Sequence, residues 1–125
     1  IPRYHKQLLA SADHHEDKKY FDRGDCTSVF IVDLPNVGQI RVGILICEDA
    51  WSDDHQRNLP KEMVEDMGAD LLININQSYF YYGKQEKRIN QFSKHAKNLK
   101  VPYISVNSVG VGDIVKNIVH LMADL

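Results

Sequence analysis

The sequence predicts an α/β fold built around a mixed β-sheet, and the order of its segments carries that prediction. Between residues 39 and 107, strand-like runs rich in β-branched residues alternate with two segments of helical periodicity. Strands that alternate with helices form parallel pairs through crossover connections. A further strand precedes them and is joined by a four-residue turn, so it must run antiparallel to its neighbour. The sheet is therefore predicted to be mixed.

The individual elements follow from local patterns. Residues 1–25 are polar and irregular, and the "PNVG" stretch at 35–38 has the composition of a turn between two strands. The glycine-containing stretch "SVGVGD" is predicted to be a flexible loop. Strands are predicted at 26–34, 39–46, 70–76, 101–107 and 117–123.

Two helices are predicted, at 59–68 and 83–100. The first has Pro60 near its start and Gly68 at its stop, both common at these positions. The second places four apolar residues on one face, with charged residues opposite. These four are Ile89, Phe92, Ala96 and Leu99.

Composition limits the functional classes. The chain has 125 residues, a formal net charge of -2 and 43% hydrophobic residues, which suits a globular domain with a core. Nearly balanced charge argues against a nucleic-acid partner, and no apolar run approaches the length of a membrane span. Cysteine usage indicates a reduced, cytoplasmic protein, and no metal-type Cys/His spacing occurs. The chain begins with Ile1, so we expect the native start to lie upstream.

Polar and reactive residues follow three predicted strands at their carboxyl ends, where open α/β sheets bind ligands. They are Cys47-Glu48, Asn76-Gln77-Ser78 and Asn107-Ser108. Cys47 therefore lies where a site is expected, and a thiolate there would be a nucleophile.

Three other interpretations of the cysteine remain open at this point. A cysteine that ends a strand is more often a packing residue. Alternatively, the predicted hairpin places Cys26 opposite Cys47, which would allow a disulfide. A Cys-His hydrolase would use His95 or His120 as its base, although Cys47 lacks the glycine-flanked turn of those enzymes. His95 is otherwise interpreted as an ordinary histidine on the surface of a helix.

Four ordered segments together resemble the nitrilase (carbon–nitrogen hydrolase) superfamily, and in particular its glutamine-hydrolysing domains attached to NAD synthetases. The segments are "KQLLASADHHEDKKYFDRGD", "GILICEDAW", "LLININQSYFYYGKQEKR" and "VPYISVNSVGVGD". The resemblance implies an α-β-β-α sandwich, of which residues 1–125 are the central and C-terminal part. It places the N-terminal part of that domain, and a synthetase domain, outside this chain.

The resemblance also implies roles for individual residues. Cys47 is the nucleophile that attacks the side-chain amide of glutamine, and Lys6 stabilises the resulting oxyanion. Four residues are assigned to substrate binding: Glu48, Trp51, Ser78 and Lys84. The amidase step needs no cofactor or metal, whereas ATP and Mg belong to the synthetase domain, which receives the ammonia.

Three departures from the family pattern affect this assignment. The glutamate that acts as the family's base is expected upstream of Lys6, outside the chain. Ala10 replaces a proline, and Ala12 replaces a tyrosine near the substrate. A second family glutamate aligns with Asp17, beside Glu16, and either acid is a candidate to assist.

The predicted function is therefore hydrolysis of glutamine to glutamate and ammonia for NAD synthesis. The alternatives are a free-standing amidase of the nitrilase family that acts on another small amide, and a non-catalytic structural or interaction module. In isolation we expect these residues to be inactive. An uncovered apolar face and an unpaired strand edge are expected to favour homo-oligomers.

Overall fold

A computed structural model describes residues 3–11, 16–114 and 117–121. It contains six strands and three helical segments in the described part of the chain. In chain order these are α1 (Asp17–Tyr20), β1 (Val29–Leu34), β2 (Gly38–Ile46), α2 (Leu59–Lys61, continued by a π-helical turn at Glu62–Asp66), β3 (Leu71–Asn76), α3 (Lys84–Leu99), β4 (Tyr103–Asn107), β5 (Gly110–Ile114) and β6 (Asn117–Leu121). Short 3-10 turns at Cys47–Ala50 and Ser52–Asp54 follow β2.

The central sheet has four strands in the order β1-β2-β3-β4. β1 runs antiparallel to β2, whereas β2, β3 and β4 are parallel to one another. The helical segment α2 connects β2 to β3, and α3 connects β3 to β4. The prediction of an α/β fold with a mixed sheet is confirmed.

The hairpin register differs from the predicted one by one residue. Val29 faces Gly43, and the pairing continues to Leu34 opposite Gly38. β1 begins only at Val29, so Cys26 precedes the strand and is exposed. Both cysteines are free thiols, and the alternative of a Cys26–Cys47 disulfide is wrong.

The helix predicted at 59–68 is present, but its second half is π-helical. It begins where the Asn58 side chain accepts a hydrogen bond from the Lys61 amide at 3.1 Å, which is an N-terminal cap. It ends before Gly68, whose φ of 70° lies in the left-handed region. Leu59 and Met63 are fully buried on its inner face.

Gly43 permits close packing of this helix against β2. A Cβ atom at Gly43 would lie 2.7 Å from Leu72 Cδ2 and 2.9 Å from Met63 Sδ, closer than such atoms approach. A side chain at this position would therefore push α2 away from the sheet.

The side of the long helix α3 that faces the core matches the predicted apolar face only in part. Phe92 is buried and Leu99 packs against the core, but Ile89 is 56% exposed, and the other buried residues are Arg88 and His95. Both polar side chains are buried because they hydrogen-bond backbone carbonyls, Arg88 that of Ser78 and His95 that of Ala50. These bonds rotate the helix away from the orientation that hydrophobicity alone favours.

The stretch predicted to be a flexible loop contains a strand instead. Gly110–Ile114 forms β5 and pairs antiparallel with β6 in a separate two-stranded sheet. Its glycines weaken the local strand signal, and the pairing with the β-branched β6 supplies what the isolated stretch lacks. The strand predicted at 117–123 is observed at Asn117–Leu121, and residues 122 and 123 lie outside the described part.

The four-stranded sheet has one covered and one uncovered face. α2 and α3 pack on the covered face, where Leu45, Leu72, Leu59 and Met63 are fully buried. The other face carries two cross-strand rows in register: Ile44, Ile73 and Ile104, then Ile46, Ile75 and Val106. In these rows Ile75, Ile104 and Val106 are 53%, 46% and 52% exposed. This is the apolar face of a partial domain, as predicted.

Within the described residues, no helix has both the length and the apolar character required to cross a bilayer.

Candidate active site

The carboxyl ends of β2, β3 and β4 meet at a cavity of about 460 Å³. Residues from all three strand ends line it, together with Lys6 from the irregular residues 3–11 and Asp17 from α1. The lining residues are Lys6, Asp17, Ile46, Cys47, Ile75, Asn76, Gln77 and Ser108. The predicted convergence of strand ends is therefore observed, and Cys47 lies within it.

Cys47 begins the 3-10 turn that follows β2, and its backbone is strained. Its φ of 49° lies in the left-handed region, which non-glycine residues seldom adopt. Such strain is found most often at functional sites. The side chain is half-buried and lines the cavity, so simple core packing does not describe it.

Opposing effects act on the Cys47 thiol, and their net result is a raised pKa. Burial raises the pKa of Cys47, and the charges of Glu48 and Asp17 raise it further. Lys6 and a backbone hydrogen bond from Gln77 act in the opposite direction and lower this pKa. Of the described charged groups that act on the thiol, Lys6 favours the thiolate and the two acids disfavour it.

Lys6 reaches this cavity from a segment that contains neither helix nor strand, residues 3–11. Its carbonyl accepts a hydrogen bond from the Gly24 amide at 2.7 Å, and its ammonium group forms an ion pair with Asp17. The structure thus brings together Lys6 and Cys47, the two residues assigned to catalysis.

Asp17 is held in place by a reciprocal contact with Ala10. The Ala10 amide donates to Asp17 Oδ2 at 3.1 Å, and the Asp17 amide donates to the Ala10 carbonyl at 3.1 Å. A proline at position 10 would have no N–H for the first of these bonds. Glu16 instead pairs with Lys19 on the exposed surface, so Asp17 is the acid of the two that lies at the cavity. Ala12 lies outside the described residues.

Glu48 lies beside the cavity but is not among the residues that line it. Its Oε1 is 3.0 Å from His55 Nε2, and both side chains are mostly buried. The predicted contact of Glu48 with a substrate amino group stays a prediction.

Trp51 and Lys84 are brought together in a cluster of aromatic rings. Lys84 Nζ lies 5.0 Å from the ring centre of Trp51, 5.6 Å from that of Tyr79 and 5.1 Å from that of Tyr81. Trp51 also packs edge-on against Phe92 at 5.9 Å. These are cation–π distances.

Ser78 is buried next to α3. Its amide donates to Asn107 Oδ1 at 3.0 Å, and its carbonyl accepts a bond from Arg88 Nη2 at 2.9 Å. These bonds fix the backbone at the carboxyl end of β3. Like Trp51 and Lys84, Ser78 lies outside the lining of the Cys47 cavity.

The surface interpretation of His95 is wrong. The side chain is buried, its Nε2 lies 2.8 Å from the Ala50 carbonyl, and its ring stacks on Tyr103. Burial lowers the pKa of this histidine. It is engaged in holding α3 to the turn after β2. His120 lies in β6.

Sequence reasoning assigned no role in the site to two polar residues that lie near it, Asp49 and Arg88. Asp49 caps the turn that begins at Cys47, since its Oδ2 accepts the Ile46 amide at 3.0 Å. It also contacts the distant N-terminal segment, for which the sequence holds no local signal. No group of three or more potential metal-ligating side chains occurs among the residues that the structure describes.

Comparisons with known proteins agree on one kind of relative. The glutamine-dependent NAD(+) synthetase of Synechocystis sp. is 32% identical over 117 residues, which is 88% of this chain and 20% of that protein. The enzyme of the same name from Acinetobacter baylyi is 31% identical over 110 residues, 88% of this chain and 18% of that protein. No protein-family model matches the chain.

Solved structures give the same relationship. A glutamine-dependent NAD+ synthetase from Acinetobacter baumannii superimposes with a TM-score of 0.77 at 28% identity, covering 96% of this chain and 20% of that one. A second, from Cytophaga hutchinsonii, shares the fold with a TM-score of 0.58 at 22% identity, covering 84% of this chain and 18% of that one. The predicted nitrilase-type partial domain is thereby confirmed. The chain spans about a fifth of the length of these relatives, and it is homologous to one segment of the glutamine-dependent NAD+ synthetases.

Proposed function

We propose that this chain carries the nucleophile of a glutamine-hydrolysing site that supplies ammonia for NAD synthesis. One observation supports this most directly. Cys47, strained at the end of a parallel strand, shares a cavity with the ammonium group of Lys6, in a chain homologous to glutamine-dependent NAD+ synthetases.

The proposed reaction has two steps. The Cys47 thiolate attacks the side-chain carbonyl carbon of glutamine, and Lys6 stabilises the negative charge that develops on the oxygen. The carbon–nitrogen bond then breaks, ammonia leaves with the proton taken from the thiol, and a thioester remains on Cys47. Water adds to the thioester, which releases glutamate and restores the thiol.

The proton is carried by a carboxylate base, which we assign to a glutamate upstream of Lys6. Asp17 lines the same cavity, but its carboxylate forms an ion pair with Lys6. We therefore give Asp17 the role of holding the lysine, and the upstream glutamate that of general base.

Glutamine itself is proposed to be held by Glu48, Trp51, Ser78 and Lys84. Glu48 offers a negative charge to the substrate amino group. The Lys84 charge, held over three rings, offers a partner for the carboxylate. The ammonia then passes to a synthetase domain that uses ATP and Mg, in a homo-oligomeric, cytoplasmic enzyme.

A second candidate is a free-standing amidase for another small amide. It is favoured by the position of Ser78 and Lys84, which lie outside the lining of the cavity that contains Cys47. Such an enzyme would use the same thiol with a substrate that needs no distant carboxylate contact.

The test is to trap the acyl intermediate on the natural protein that contains this chain. After brief incubation with glutamine and acid quenching, mass spectrometry should find glutamyl thioester on the peptide that carries Cys47. Cys47→Ala should abolish glutamine-driven NAD synthesis but retain synthesis from added ammonia, because ammonia bypasses the thioester.

Cys26→Ser is the matched control, since Cys26 is an exposed thiol that precedes β1. It should retain full turnover. Normal glutamine turnover in Cys47→Ala would disprove the nucleophile assignment. Thioester formation from other small amides but not from glutamine would favour the second candidate.

A further inference from the structure

Asp49 is a fully buried carboxylate that accepts four hydrogen bonds. Its Oδ1 accepts the amides of Gln7 at 3.1 Å and Leu8 at 2.8 Å. Its Oδ2 accepts the Tyr4 hydroxyl at 3.0 Å and the Ile46 amide at 3.0 Å. A buried carboxylate is costly unless its oxygens are satisfied, so this convergence of donors is a built arrangement.

The residues joined by these four bonds lie on either side of the two residues assigned to catalysis. Lys6 lies between Tyr4 and Gln7 in the N-terminal segment. Cys47 lies between Ile46 and Asp49 itself. All hydrogen bonds described between residues 3–11 and the turn at Cys47–Ala50 end on the Asp49 carboxylate. These bonds join the backbone around Lys6 to the backbone around Cys47, while Asp17 pairs with the ammonium group itself.

The N-terminal segment depends on such contacts because residues 3–11 form no strand or helix. Its other bonds lead elsewhere: Lys6 to Gly24, and Gln7 to Cys26 and Arg57. These bonds hold the segment against the outer loops. Leu8 shares the buried apolar cluster with Ala50 of the turn, and the Asp49 carboxylate adds directed hydrogen bonds to that contact. The Asp49–Ile46 bond, in addition, closes the turn in which Cys47 adopts its left-handed conformation.

We propose that Asp49 is the positioning residue that fixes the Lys6 ammonium group relative to the Cys47 thiol, an inference that rests on the catalytic roles proposed above. Asp49 holds the chain on either side of Lys6 and the turn that contains Cys47, and it does not touch the reacting atoms. Its removal should lower the turnover number and leave the Michaelis constant for glutamine nearly unchanged.

The experiment is a double-mutant cycle in the natural protein, in which mass spectrometry follows alkylation of the peptide that carries Cys47. The readout is the rate of Cys47 carbamidomethylation by iodoacetamide as a function of pH, which requires no turnover. Lys6→Met should slow alkylation near neutral pH by ~10-fold, because an opposite charge close to a thiol lowers its pKa by about one unit or more.

In the Asp49→Asn background the same Lys6→Met change should slow alkylation by only about twofold or less, since coupled residues are not additive. Asp53→Asn is the matched control. It makes the same chemical change four residues away, where the carboxylate pairs with the exposed Lys94 at 2.7 Å, and it should leave the full Lys6 effect.

Tyr4→Phe covers the case in which Asp49→Asn fails to fold, because it removes one of the four bonds and keeps the carboxylate. It should reduce the Lys6 effect partially. An undiminished Lys6 effect in whichever of the two variants folds would overturn the proposal. A wild-type protein without glutamine turnover would refute the proposed function, while the alkylation cycle would still report on Asp49.

Discussion

Lys6 and Lys84 are the two lysines to which the sequence assigns a function, and their surroundings are opposite in kind. Lys6 pairs with a carboxylate and shares a cavity with the thiol. Lys84 lies over the faces of three aromatic rings at the start of α3. A charge next to the reacting atoms stabilises the transition state more than the bound substrate. A charge remote from them stabilises the bound substrate and the transition state equally, so it contributes to affinity. The two lysines should therefore separate rate from affinity.

The largest effect is expected from Lys6→Ala. Removing one group that stabilises an oxyanion lowers the turnover number by ~100- to 1000-fold. The Michaelis constant for glutamine should change little, because the oxyanion is absent from the ground state. Steady-state release of ammonia by the natural protein measures both constants. A raised Michaelis constant with an unchanged turnover number would reverse the roles of the two lysines.

Lys84→Ala should give a smaller effect of the other kind. We expect the Michaelis constant for glutamine to rise ~10-fold, equivalent to about 1.4 kcal/mol of lost binding, with little change in the turnover number. Lys87→Ala is the matched control. Lys87 also lies over the Tyr81 ring, at 5.4 Å, but it is exposed, so glutamine kinetics should not change.

Equal Michaelis constants for wild type and Lys84→Ala would place the carboxylate partner elsewhere. That outcome would support the candidate amidase for substrates that lack a carboxylate, and the same assay with such amides would then show higher turnover.

The smallest of the three effects is expected from Ala10→Pro. Proline removes the amide that donates to Asp17 Oδ2, so the carboxylate that holds Lys6 loses one of its bonds. We expect the turnover number to fall by about threefold to tenfold, in line with ~1 kcal/mol for a typical hydrogen bond.

Ala10→Ser retains the backbone amide and should keep wild-type turnover in the same ammonia-release assay. A turnover number in Ala10→Pro equal to that of wild type would show that the reciprocal Ala10–Asp17 contact does not contribute to the position of Lys6.

Much of the fold follows from the periodicity of the sequence. The alternation of strands and helices predicts that β2, β3 and β4 run parallel, and it places Cys47 at a carboxyl end. The register of the hairpin and the rotation of α3 do not follow. Arg88 and His95 are buried by bonds to carbonyls that are distant in the sequence, and no local pattern encodes these bonds.

The candidate site, like the fold, was predictable only in part. Cys47 follows from strand polarity, and its proposed chemistry follows from resemblance. The resemblance also assigns Lys6 to catalysis, but the contacts around it leave no local signal: the Asp49 carboxylate accepts the amide of Gln7, 42 residues away. Side-chain bonds that join irregular segments have no periodicity, so the structure was needed to show how the N-terminal residues are held beside Cys47.

The uncovered sheet face and the cavity share two residues, Ile46 and Ile75. Both belong to the outer apolar row, and both line the cavity that contains the thiol. A layer that packs on this row would therefore also border the cavity. We therefore expect whatever layer covers this face to limit the access of water to Cys47 as well. The proposed chemistry of Cys47 would then depend on how the apolar face is covered.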